Sequence, residues 1–145
     1  MAQGWQGLEA IGSHPWIYPS LEVVHITGIA LLLGNLVLLE LRVWGAAAEL
    51  PIGPLARWAV LLSLLGFGIV VLSGLLMFAS RPAELLTNRA FVIKMGLVML
   101  AGLNAAAFHA RGGLTRLDAT ARAQTVLSLG TWFAAIICGR WIAYL

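Results

Sequence analysis

A handful of residues in this chain stand where chemistry is possible. Glu22, His25, Glu40, Lys94, Asn104, His109, Cys138 and Arg140 all interrupt apolar stretches, and polar or charged groups at such positions are expensive enough to suggest a function. His25 offers an imidazole that could be an axial ligand of haem b or one donor to copper, and Met77 and Met95 offer thioethers for the same two purposes. Lys94 is the chain's single lysine, and it stands well inside a hydrophobic run with Arg140 as a second cation at similar depth. Two cations there suit haem propionates, a quinone oxygen or another anionic group. The plainer reading is that both snorkel to the membrane surface.

Spacing narrows the ligand pairs. If His25 and His109 lie on antiparallel helices near opposite membrane surfaces, roughly 20 Å of helix rise separates them, too far for one haem. His14 precedes the first apolar run on the same side as His25. The axial pairs that depth allows are therefore His14 with His25, or His25 with Met77 or Met95. His25, Lys94, Arg140, His14 and His109 are the candidate cofactor-binding residues, with His25, Met77 and Met95 as the candidate metal ligands. No catalytic residue is assigned, because the chain has no HxxxH, CxxC or phosphate-binding loop. The single cysteine, Cys138, excludes an internal disulfide and a cysteine-based zinc site.

The elements that must position these groups are membrane spans. Of the 145 residues, 61% are hydrophobic and only 10% are charged, and the mean hydropathy is +0.93. A soluble domain is nearer half apolar and about a quarter charged. Four runs are long enough to cross the roughly 30 Å of hydrocarbon, about residues 21–45, 58–78, 90–110 and 123–145. Without water to satisfy the backbone they must be helices. The connections between them are short, so the expected fold is all-α, an up-down antiparallel four-helix bundle forming one transmembrane domain over residues 1–145. Thr87 or Asn88 is the expected cap of the third span, and Asp118 with Thr115 that of the fourth. Residues 1–20, with Trp5, Trp16 and Tyr18, read as an interfacial segment. The first span starts late and ends in "ELRVWG", so it is expected to remain uncleaved.

Charge then gives orientation. The formal charge is +3, but the arginines flank apolar runs, a pattern of membrane topology and not of nucleic-acid binding. Arg42, Arg57, Arg111, Arg116 and Arg122 fall at one surface, Arg81 and Arg89 at the other. The richer side is expected to be cytoplasmic, with both termini in the periplasm of a bacterial inner membrane. At about 100° per residue, Glu22, His25 and Glu40 share one face of the first span, and Lys94 and His109 one face of the third. Those faces should point into the bundle. Small residues such as Gly66, Gly68, Ser73 and Gly74 suit close helix packing or a homo-oligomer.

The phrases "LEVVHITGIALLLGNLVLLELRVWG", "NRAFVIKMGLVMLAGLNAAAFH" and "SLGTWFAAIICGRWIAYL" resemble a family of small four-span bacterial membrane proteins of unknown function. The likeness covers nearly the whole chain and includes His25, Glu40, Arg42, Phe91, Lys94, Asn104, His109, Trp132, Gly139 and Arg140. An early-span histidine and the phrase "FVIK" are also similar to copper-resistance D-type membrane proteins. The first resemblance implies the four-span fold. The residues themselves suggest a protein that binds haem b or a metal ion, copper above all, near the periplasmic face for electron transfer or metal handling. The alternative is a non-catalytic subunit or scaffold of a larger membrane complex. The lipid bilayer is the expected surrounding, with another copy or a larger complex as possible partner.

Overall fold

The computed structural model describes residues 2–145, and every regular element among them is helical. The four spans are α2 (Ile17–Val43), α3 (Ile52–Ser80), α5 (Arg89–Ala110) and α7 (Ala119–Trp141), with three shorter helices, α1 (Ala2–Ser13), α4 (Pro82–Thr87) and α6 (Gly113–Arg116). All four long helices are apolar enough to cross a membrane. Leu64, Leu72, Met99 and Leu103 are among the large side chains exposed on their outer faces, as lipid contact requires. The four form a bundle.

Helix ends follow local chemistry. The Asn88 side chain accepts a hydrogen bond from the Phe91 N–H at 3.2 Å and starts α5. Asp118 does the same for the Ala121 N–H at 2.8 Å and starts α7. That N–H and then the Arg111 guanidinium hold the Asp118 carboxyl below its ordinary range. α2 closes in a Schellman arrangement: Ala46 N–H reaches the Leu41 carbonyl, Gly45 N–H reaches Arg42, and Gly45 takes a φ of +95°. Pro82 opens α4 directly after Arg81 breaks α3.

Some boundaries differ from expectation. α2 begins at Ile17, inside the segment expected to lie on the surface, while α7 begins at Ala119, directly after its expected cap Asp118, and ends at Trp141, short of the expected 145. α3 begins at Ile52, before Pro54, because Pro51 occupies the N-cap in extended conformation. The N-terminal segment is itself helical. α1 docks on the end of α3, where Gly12 meets Ser80 and Arg81 donates to the Gly12 carbonyl. Arg81 also covers the Tyr18 ring, while Trp16 is exposed. The side chain of Trp5 lies outside the described residues.

The bundle is built from two intimate pairs. α2 and α3 form one, α5 and α7 the other, and α2 also touches α7. The first pair crosses backbone to backbone. A Cβ on Gly66 would lie 2.6 Å from the Leu32 nitrogen and 2.7 Å from the Gly28 carbonyl oxygen, so only glycine permits the approach. The second pair is tied by polar groups as well: Asn104 donates to the Gln124 carbonyl at 2.7 Å, and Asn88 to that of Ile142 at 3.0 Å. Arg111 bridges Asp118 at 3.0 Å and Gln124 at 3.2 Å. Between the pairs runs a seam, crossed by Phe67 against Trp132 and by Phe78 stacked on Phe91.

Candidate functional site

Two polar clusters lie on the seam, one toward each end. The first is built around His25 of α2. Its Nδ1 is 2.9 Å from the Ser73 hydroxyl on α3, and that hydroxyl is also 2.6 Å from the carbonyl of Ile69. A serine hydroxyl has one proton. With that proton given to Ile69, the hydroxyl can only accept from His25. In that arrangement Nδ1 carries an imidazole proton, and in the neutral ring Nε2 keeps its lone pair. Gly74 makes room for the ring, since a Cβ there would lie 3.3 Å from Cε1.

Lys94 of α5 belongs to the same end. Its stem runs along Gly139 of α7, where a Cβ would stand 3.5 Å from Nζ. The side chain is half-buried. An imidazole from one helix pair and an ammonium from the other thus stand toward the same end of the bundle.

The remaining candidates are placed elsewhere. Arg140 is exposed and turns to Tyr144, donating to its hydroxyl at 2.9 Å with the guanidinium over the ring. Glu22 is exposed and makes no ion pair with Lys94. His14 sits at the joint between α1 and α2, where its Nδ1 accepts from the Trp16 N–H at 3.3 Å, and α2 rises about 12 Å from Ile17 to His25. Met95 is exposed on α5, and Met77 is half-buried on α3. His109 is exposed at the far end of α5 with its ring edge to Phe108. Among the described residues, no three His, Cys, Asp or Glu side chains gather as a metal site.

The second cluster surrounds Glu40, about 22 Å along α2 from His25. Glu40 is 7% exposed, and neither carboxyl oxygen has a hydrogen-bond partner. It borders a cavity of about 50 Å³ that Asn104, His109, Gln124, Thr125 and Ser128 also line.

Sequence reasoning missed the supporting residues: Ser73, Gly74 and Gly139 around the first cluster, Gln124, Thr125 and Ser128 around the second. A signal existed for the last group. Ala121, Thr125, Ser128, Thr131 and Ala135 recur at three- and four-residue spacing and are all buried on α7, a stripe of small and hydroxyl side chains. For Ser73 and the two glycines the signal was their smallness, which reads equally well as packing.

No protein-family model, no curated protein and no solved structure matches this chain. The family resemblance rests on the residues quoted for it.

Proposed function

We propose that this multi-pass membrane protein binds haem b or a metal ion through His25 and serves electron transfer or metal handling in a bacterial inner membrane, with both termini periplasmic. The observation that carries this reading is the imidazole held through Nδ1 by Ser73. A ligating histidine commonly donates its second ring N–H to a nearby acceptor, which fixes the ring and raises its basicity, and Ser73 stands in that relation to His25. Of the two cofactors, haem suits the donor set better. One axial imidazole can hold haem iron, and Lys94 supplies a cation for a propionate. Copper favours several soft or imidazole donors, whereas Met95 faces outward and His14 is engaged at the α1–α2 joint.

The test is an oxidised and reduced optical spectrum, with metal analysis, on protein taken from native-like membranes. A Soret band lost in His25→Ala and altered in Lys94→Met is the expected result. Absence of both a Soret band and stoichiometric metal from the wild type overturns the reading.

A second reading, a non-catalytic subunit or scaffold, is favoured by a separate observation. Gly34, Gly68, Gly96, Gly102 and Gly130 lie within the spans and face open space, where another helix could approach closely. It predicts co-purification with a larger complex, and a cofactor-free monomer without partners counts against it.

A further inference from the structure

We infer that the cavity at Glu40 is a binding site for one monovalent cation of the sodium type. The starting observation is a carboxyl group more than nine-tenths buried, with both oxygens unpartnered, at the wall of a cavity between α2, α5 and α7. A buried carboxylate without hydrogen bonds or a counter-charge is costly. Either a proton or a cation must neutralise it, and the chain's own cations are engaged or outside. Arg42 on α2 donates to the Leu50 carbonyl in the connecting loop. Arg111 at the end of α5 is held by Asp118 and Gln124. Arg122 on α7 is exposed and lies over the Trp44 ring. His109, which also lines the cavity, is exposed and stands edge-on to Phe108.

The other polar groups lining the cavity select the sign of the ligand. Asn104 commits its amide nitrogen to the Gln124 carbonyl, which leaves its oxygen as the free end. Thr125 spends its proton on the Arg122 carbonyl and accepts from the Trp44 indole. Ser128 lines the same cavity as Glu40, and a hydroxyl oxygen can coordinate as well as donate. The Glu40 carboxylate, the Asn104 oxygen and the Ser128 hydroxyl form an oxygen-donor set, which suits a hard cation. Charge and room then limit it. One carboxylate balances one positive charge. A cavity of about 50 Å³ has room for an ion with one water, whose own share of liquid volume is about 30 Å³. A divalent ion such as calcium would require about six to eight oxygens. A proton on Glu40 competes for the same charge, so acid displaces the cation.

The experiment uses the full chain in lipid nanodiscs and reads thermal stability at pH 8 as NaCl replaces choline chloride at constant ionic strength. The expected result is a melting midpoint that rises with the logarithm of sodium concentration. The rise should vanish in Glu40→Gln, weaken at least tenfold in apparent affinity in Ser128→Ala, and fade in the wild type at pH 5. Glu40→Gln keeps the side chain's shape and should fold without sodium, so loss of response is readable apart from loss of fold. His25→Ala should leave the response unchanged, which separates this site from the His25 cluster. A midpoint indifferent to sodium throughout pH 5–9 overturns the proposal and leaves Glu40 as a buried neutral acid. So does a sodium response that persists in Glu40→Gln.

Discussion

The His25 imidazole gains its orientation from a single hydroxyl. Ser73 passes its own proton to Ile69 and receives that of His25, so deleting the hydroxyl removes both a bond and the reason for one tautomer. Ser73→Ala is expected to destabilise the protein by about 1 kcal/mol, the usual net value of one hydrogen bond. Nitrogen NMR of labelled histidine should find the proton on Nδ1 in the wild type and shared between the ring nitrogens in the variant. A wild-type ring protonated on Nε2 would contradict the proposed ligand role. The sequence showed that His25 and Lys94 stand at one depth, because depth follows from counting residues. It did not show that Arg140 turns to Tyr144 or that Glu22 is exposed. Side-chain direction near a span end is set by competing local partners, and the turn after α7 brings the Tyr144 hydroxyl within reach of Arg140.

Helix by helix, the fold was legible from composition alone, since a run of about 20 apolar residues has few alternatives in lipid. The caps at Asn88 and Asp118 were legible too, because an Asn or Asp ahead of an apolar run is a local signal. The pairing of the helices was not. Gly66 and Gly68 are two residues apart and look alike in the sequence, yet Gly66 lies against the α2 backbone and Gly68 faces open space. This contrast gives a paired test. Gly66→Ala would place a methyl group 2.6 Å from the Leu32 nitrogen, and no side-chain rotation relieves a clash with backbone. The helices must separate, at an expected cost of about 1–3 kcal/mol, the range for overpacking. Gly68→Ala should produce no loss, since alanine is the better helix former. Unfolding of both variants in detergent micelles distinguishes them, and equal stability would mean that α2 and α3 do not cross at Gly66.

For the molecule as a whole, the question is which end faces the cytoplasm, and it decides which compartment each polar cluster is nearer. The end holding the α2–α3 and α5–α7 connections carries Arg42, Arg57, Arg111, Arg116 and Arg122, while the other end carries Arg81, Arg89 and Arg140. Asp118 bridges Arg111 at 3.0 Å, but acidic neighbours contribute little to topology, which follows the count of lysine and arginine in short flanking loops. The richer end therefore remains the expected cytoplasmic one. The Trp44 indole, hydrogen-bonded to Thr125 at 2.9 Å beneath Arg122, suits an interfacial position at that surface. The Glu40 cavity would then open toward the cytoplasm, and His25 with Lys94 would lie toward the periplasm. A phosphatase fused at residue 115 should be inactive and a fluorescent protein fused there should be bright. An active phosphatase at that position would invert the orientation and exchange the compartments assigned to the two clusters. The geometry within each cluster would be untouched.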